Sequence, residues 1–407
     1  MLRIFVDGAT ETAAIGSHAM AISTLKLLTE IFPDAELTIL SVYPEVDYRR
    51  YGGFGFDLNI VRRARGRVGA AWALLRQCPK ADIVVGVYGD AFVTRTNLVF
   101  LEFIAKMLLV TLPGTPVVIF PSSMGPFAGS WRSFIVRWAL KRVKLIAARE
   151  ETTYRYLREA GIDKRLIALV PDMAFALPSA PQARLEEILA KEGINTAQRP
   201  LIGIHVSQPL SFYSSQILAI SQDYGELITQ VADYLVTSLD AAVVLMPYFI
   251  WPREITKLRG LAARAGGDDL TAIKWLLKRV EHKDKMVPIE TEYGATELNG
   301  IIGQCDLFIG GGMHSNIAAI SMCVPTISID FRYKTPAVMK MAGLEKYYCD
   351  LRTVTFAELT GKIDDLWMNR ENVRKMLESK AEDFRASIHS FAESLRGLLD
   401  TSDKPRR

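Results

Sequence analysis

Cysteine is scarce in this chain: Cys78, Cys305, Cys323 and Cys349 are the only four, and no two stand at metal-ligand spacing. That argues against a cysteine metal site and against a disulfide framework, and it fits a reducing compartment. Cys305 and Cys323 lie among apolar residues and are expected as small buried hydrophobes. Long hydrophobic runs are also missing. The longest, Phe100 to Phe120, is broken by Glu102, Lys106 and Pro113, whereas a membrane span needs about 20 uninterrupted apolar residues. It reads as a buried helix followed by a strand. The opening MLRIFVDG begins on a strand-like run with no signal-peptide pattern, so a soluble, cytoplasmic protein is expected. HExxH, GxSxG and GxxxxGK[ST] are absent, and with them the motifs of zinc peptidases, serine hydrolases and P-loop enzymes. No metal and no cofactor is expected. Charge of one sign is in small excess, +4 over 407 residues. The cluster Arg62, Arg63, Arg65 and Arg67 and the tail Lys404, Arg406 and Arg407 exceed that surplus. They read first as solvated faces and second as phosphate or peripheral membrane contacts. Nucleic acid is not an expected partner.

What is present is the balance of a globular protein, 49% hydrophobic and 23% charged residues, in a chain longer than one hydrophobic core supports. Apolar strand-like runs alternate with helical patterns throughout. In the first half the strands are expected at Leu2–Val6, Glu36–Val42, Asp82–Val85, Pro116–Phe120, Leu145–Ala148 and Leu166–Val170. The helical pattern is plainest in Ala19–Phe32, where Ile22, Leu25, Leu28 and Phe32 recur at helical spacing. Nearly all-apolar strands, each followed by a helix, indicate parallel sheets covered on both faces. Around Ala176–Pro200 the texture turns to proline and small residues about one short charged helix, which reads as a linker. Strands resume at Leu201–Val206, Ala241–Met246, Met286–Ile289, Leu307–Ile309 and Thr326–Ile329, and a long helix from Thr355 to Leu399, broken near Asn369, ends the chain. The expected domains are 1–178, a linker 179–199, a second domain 200–370, and a helix with basic tail 371–407. The fold class is α/β, with two Rossmann-like halves facing a cleft, as in two-Rossmann (GT-B-like) glycosyltransferases.

Ligands of open α/β sheets bind beyond the carboxyl ends of the strands, so the loops there are the candidates. The strongest is CDLFIGGGMHSNIAAISMCVPTISIDFRYK, Cys305 to Lys334. A strand runs into Gly310, Gly311 and Gly312, and a helix begins near His314 or Ser315. Glycines let a ligand approach the backbone, and a helix start offers free N–H groups to an anion. His314 there suits phosphate contact or proton transfer; the alternative is that the glycines serve only tight packing and His314 only caps. After Asp330, Arg332 and Lys334 form either a clamp for a carboxylate or phosphate or a solvated turn. In the first half, GVYGDAF places Gly89 and Asp90 after a strand, with Asp90 either accepting a proton from a sugar hydroxyl or capping a helix. PSSMGPF offers Ser122 and Ser123 to an acceptor pocket or to a turn. Arg149, Glu150 and Asp172 are charges at strand ends with the same two readings. His18, His282 and His389 read as structural or exposed, and His205, alternating within a strand, as a weaker functional candidate.

GVYGDAF, PSSMGPF, AAREETTYRYLREAGI, VPDMAF and ELNGIIGQCDLFIGGGMHSNIAAISMCVPTISIDFRYK occur in an order that resembles the polysaccharide pyruvyl transferase family over about residues 1 to 370. The resemblance implies the two-Rossmann fold and transfer of pyruvate from phosphoenolpyruvate to two sugar hydroxyls as a cyclic ketal. The donor side falls to the second domain, with His314, Asp90 on the acceptor side, and a sugar or glycan-lipid acceptor of the cell envelope or capsule. His314 aligns with the histidine the family places on the donor. The chain departs from the family at Gly312 and Ser207, where arginine is common, and Arg332, Lys334 or Arg253 are the cations available to replace those arginines. A nucleotide-sugar enzyme and a non-catalytic glycan- or anion-binding homologue are the competing readings.

Overall fold

In the computed structural model, which describes residues 1–9, 13–91, 97–127, 130–197, 200–211, 223–252 and 267–400, the chain forms two units, each built on a parallel sheet with helices between its strands. In the first unit the strands are β1 (Arg3–Asp7), β2 (Glu36–Ser41), β3 (Leu58–Arg62), β4 (Ile83–Gly86), β5 (Asp90–Ala91), β6 (Val117–Met124), β7 (Val143–Ala148) and β8 (Ile167–Leu169). Their order across the sheet is β3-β2-β1-β4-β6-β7-β8, with the two-residue β5 set against the far end of β6. In the second unit β9 (Leu201–His205), β10 (Ala242–Met246), β11 (Met286–Pro288), β12 (Leu307–Gly310), β13 (Thr326–Asp330) and β14 (Tyr348–Asp350) lie in the order β11-β10-β9-β12-β13-β14. That order, outward in one direction from the first strand and then in the other, is the Rossmann arrangement. The α/β class with two Rossmann-like halves is thus what the chain adopts.

The central strands are buried along their whole length, as β4, β9, β10, β12 and β13 show. Helices cover both faces of the sheets, so β4, β10 and β12 carry no polar residue and the polar side chains of β9 and β13 are buried. The register is tight: Ile204 of β9 pairs with Leu245 on one side and Ile309 on the other. Among the described residues no helix is long and apolar enough to cross a membrane. Cys78, Cys305 and Cys349 are buried thiols, whereas Cys323 is only half-buried.

Four expectations differ from what the structure holds. Residues 179–199 are not a free linker. The helix Gln182–Glu192 buries Leu185 and Ile188, and the Ala180 N–H donates to the Thr296 carbonyl at 2.9 Å, so this segment belongs to the second unit. The last helix, Phe356–Asp400, runs through Asn369 without a break, the Asn369 side-chain amide donating to the Asp365 carbonyl one turn back at 2.8 Å. The boundary expected at 370 lies at 383, since residues 384–400 of that helix pack on the first unit: Phe391 meets Phe120 edge-on at 5.3 Å, and Arg396 donates to the Ile31 carbonyl. Residues 13–16 belong to the second unit in turn. Ala14 bridges Phe249, and the Ile15 N–H donates to the Tyr248 carbonyl at 3.1 Å.

Candidate functional site

In the second unit β9 and β12 are neighbours whose following connections leave in opposite directions, which makes the gap beyond their carboxyl ends the expected ligand crevice. His205 ends β9, and Gly310, Gly311 and Gly312 lead from β12 into the helix Met313–Ser321. The three glycines do different things. A Cβ on Gly310 would fall 1.7 Å from the Asn316 Oδ1, and one on Gly311 would fall 2.4 Å from the Tyr224 hydroxyl. Those two are glycine because protein packs against them in the direction a side chain would take. Gly312 is different: its Cβ would stand 3.3 Å from both the Arg332 Nη2 and the His205 Cε1. Its φ of −179° is extended backbone open to any residue, so space alone sets the requirement. The space is bounded by a guanidinium and an imidazole, next to the start of the helix Met313–Ser321.

His205 is held at both ends. Its Nε2–H donates to the Asp269 Oδ2 at 3.0 Å, and its Nδ1 lies 2.8 Å from the Ser315 Oγ, which in turn is 2.8 Å from the Gly312 carbonyl. Asp269 is fully buried and also accepts the backbone N–H groups of Gln208, Tyr248 and Phe249. A carboxylate with four donors is fixed in place, and it fixes the ring. Sequence reasoning ranked His205 low and missed Asp269 altogether; the signals were a histidine as the last strand residue and an acidic helix start. Ser315 is a partner of His205 rather than an independent donor-binding group. His314, one position earlier, is half-buried, and its ring lies against the backbone of Gly16, where an added Cβ would fall 2.2 Å from the ring carbon Cγ.

Asp330 ends β13 fully buried and receives the Arg332 Nε on both oxygens, at 2.8 and 3.0 Å, together with the Thr335 hydroxyl at 2.6 Å. This carboxylate aims the Arg332 guanidinium across Gly312. Lys334, expected on the loop, is instead the first residue of the helix Lys334–Met341 and is buried, with its ammonium 5.5 Å from the Tyr333 ring centre. Ser207 is buried, and its N–H donates to the Tyr224 hydroxyl at 3.3 Å. Arg253 lies outside the described residues.

In the first unit the loops at the carboxyl edge converge on Arg149. Its fully buried guanidinium contacts Asp172 at 2.7 Å, Asp90 at 3.0 Å and Glu150 at 3.4 Å, and its Nε donates to the Ser123 Oγ at 2.6 Å. Burial works to lower its pKa, but the three carboxylates outweigh burial and raise it. Asp90 is the exposed member, its side chain half accessible. Gly89 before it takes the left-handed φ of +59° and accepts the Ser123 N–H at 2.8 Å, which seats Asp90 beside β6. Ser122 and Ser123, expected in an acceptor pocket, are both fully buried. The Ser122 hydroxyl donates to the Phe120 carbonyl and the Ser123 hydroxyl to the Glu150 carboxylate, so both are consumed inside the sheet. Among the described residues no three acidic, histidine or cysteine side chains could hold a metal ion.

Comparison with known proteins places this geometry. The profile of the polysaccharide pyruvyl transferase family matches residues 14–332, and the chain belongs to that family of transferase enzymes. It is 23% identical over 304 residues to the amylovoran biosynthesis protein AmsJ of Erwinia amylovora, covering 75% of this chain and 70% of that one. Among solved structures it is similar to the UDP-GlcNAc 2-epimerase of Neisseria meningitidis bound to UDP-GlcNAc, at a TM-score of 0.63 and 12% identity over 98% of this chain and 100% of the other. It is also similar to HepE of Anabaena in complex with UDP, at a TM-score of 0.58 and 9% identity over 99% and 100%. At such identities the likeness is one of fold, the GT-B-like pair of Rossmann domains.

Proposed function

We propose that this enzyme transfers pyruvate from phosphoenolpyruvate to two hydroxyls of a sugar in a cell-envelope or capsular glycan or its precursor. The observation that carries the reading is the arrangement around Gly312: a helix start, the Arg332 guanidinium, and a histidine locked between Asp269 and Ser315. An anion with both a phosphate and a carboxylate suits one cation and a row of backbone N–H groups. The proton count balances. One acceptor hydroxyl adds to the donor C2 while a proton goes to the methylene carbon, making it a methyl group. The C2–O bond to phosphate breaks, the second hydroxyl attacks the resulting oxocarbenium centre, and its proton leaves with inorganic phosphate. His314 is assigned the proton donor to the methylene, Arg332 and the helix start the donor's negative groups, with His205 as a fixed wall of the site, and Asp90 the acceptor hydroxyl.

Gly312 and Ser207 stand where the family commonly has arginine. Arg332 covers the first departure, because its guanidinium occupies the volume beside Gly312 that a side chain there would need. The reading is tested by melting the protein with millimolar phosphoenolpyruvate, nucleotide-sugars and inorganic phosphate. A ligand bound only by the folded state adds about 2.7 kcal/mol at a hundred times its dissociation constant. That is a rise of a few degrees, expected with phosphoenolpyruvate and carried by the transition of the second unit. A rise with a nucleotide-sugar and none with phosphoenolpyruvate would replace this reading with the nucleotide-sugar one. His314→Ala is expected to abolish ketal formation and to leave the melting midpoint within the span of about 1 kcal/mol; near-normal turnover would remove His314 from the chemistry.

A further inference from the structure

Three helices of the first unit turn apolar side chains outward. In the helix Gly66–Gln77 these are Val68, Trp72 and Leu75, and in the helix Ser130–Leu140 they are Trp131, Phe134 and Trp138. Between them, in contact with both, the helix Asn97–Thr111 exposes Leu98 and Leu101, with Leu112 just beyond it. The spacing is that of a helix face in each case, so the three form stripes rather than scattered residues. Exposure is large for such side chains: 63% for Trp72, 71% for Phe134 and 54% for Trp138. A groove of about 540 Å³ between the helices Gly66–Gln77 and Asn97–Thr111 is lined by Ala70, Leu74, Val99 and Phe103, with Arg63, Arg67 and Glu102.

The charge around these stripes is of one sign. Residues 62–80, 97–112 and 130–144 carry twelve Lys and Arg and a single acidic residue, Glu102, while the whole chain is only +4. Three of the twelve form ion pairs, Arg67 with Glu102, Lys106 with Asp7 and Arg62 with Glu45. Arg76, Lys80, Arg137, Lys141, Arg142 and Lys144 are exposed. Protein–protein interfaces are poor in lysine at their centres. Exposed tryptophans inside a lysine and arginine border are instead the composition of a surface that meets the headgroup region of an anionic bilayer.

We propose that this three-helix face docks the enzyme on an anionic membrane surface, with Trp72, Phe134 and Trp138 in the interface and the basic residues on the headgroups. The proposal is independent of the donor. It is tested with the full chain by flotation on vesicles of phosphatidylcholine alone and of phosphatidylcholine with phosphatidylglycerol, at low and high salt. Two variants accompany it: Trp72→Ser/Phe134→Ser/Trp138→Ser, and Arg137→Glu/Lys141→Glu/Arg142→Glu. The wild type is expected to float with the phosphatidylglycerol vesicles at low salt and to be released at high salt. Each basic residue near such a surface is worth about fivefold in partitioning, so the charge variant should lose at least ~100-fold, and the apolar variant should lose binding at both salt concentrations. Unchanged melting midpoints establish that both variants fold. No binding of wild type to the anionic vesicles, equal binding to both vesicle types, or full binding by both variants would overturn the proposal. So would a wild-type dimer that the apolar variant dissolves in the absence of any vesicle binding, which would make the face a contact between copies.

Discussion

Replacing Gly312 by alanine adds one methyl group at a place where the backbone does not resist it, since φ is −179°. Its effect is steric and local. The new Cβ would stand 3.3 Å from the His205 ring and 3.3 Å from the Arg332 Nη2. His205 cannot yield, being held by Asp269 at 3.0 Å and Ser315 at 2.8 Å. Arg332 can, because its side chain is partly exposed, its Nε resting on Asp330. The guanidinium therefore moves by a few tenths of an ångström or more, while stability falls by about 1 kcal/mol, the low end for overpacking. In a unit of this size that is about 2–4 °C in Tm. The donor suffers more, because losing a hydrogen bond to a charged group, worth about 1.5–3 kcal/mol, costs on the order of 10- to 100-fold in affinity. Titration calorimetry with phosphoenolpyruvate is expected to give a Kd raised at least ~10-fold in a folded protein. A second variant separates position from charge: Gly312→Arg combined with Arg332→Ser returns a guanidinium to the same volume from the other side and should bind more tightly than Arg332→Ser alone. Wild-type affinity in Gly312→Ala would refute the argument that Arg332 across Gly312 forms the donor clamp.

Two further outcomes follow from buried charge in the first unit. Arg149→Met leaves Glu150 and Asp172 buried with no cation, and is expected to cost about 3–5 kcal/mol; a loss below 1 kcal/mol in urea unfolding would mean the cluster is not the keystone of that sheet edge. Asp47 is fully buried, and burial raises its pKa to about 6 against the opposing pull of the Ser41 hydroxyl and Arg50. A raised carboxyl binds its proton better in the folded state, so its penalty is absent below pH 3.8, grows as pH rises, and is complete above about pH 6. At 1.36 kcal/mol per unit that penalty is about 3 kcal/mol. An unsatisfied amide donor would offset about 1 kcal/mol of the relief, so Asp47→Asn should stabilise the unit by about 1–2 kcal/mol at pH 7. At pH 4 it should do so far less. Destabilisation at pH 7 would refute the account.

Much of the fold was legible because the central strands admit no polar residue: Ile83–Gly86, Ala242–Met246 and Leu307–Gly310 are buried throughout and stand out as apolar runs. β3 was not legible. Of its five residues, LNIVR, only Ile60 is buried, so an edge strand carries almost no hydrophobic signal. The helix Gln182–Glu192 was mistaken for linker because its flanks are proline and small residues, although Leu185 and Ile188 hold it to the second unit. At the site, Gly312, His314 and Arg332 could be found from their place after strands. Asp269 was harder to find, since it reaches His205 across 64 residues of sequence and its local sign is only an acidic helix start. Arg149 and its three carboxylates likewise come from three separate stretches of chain, each showing only an ordinary charge at a strand end.

The interleaving of the two units sets the order in which they can be finished during synthesis. Residues 13–16 leave the ribosome early, yet their partners Tyr248, Phe249 and His314 do not exist until more than half the chain has been made. The first sheet is complete by residue 169, yet Phe120 and Phe175 stay uncovered until Phe391 and Phe384 arrive with the last helix. Neither unit can close before nearly the whole chain has emerged, so apolar surface stays open for most of translation and folding of the two becomes a shared final event. A chain cut at residue 370 would therefore damage the first unit, although the cut lies some 200 residues beyond its last strand.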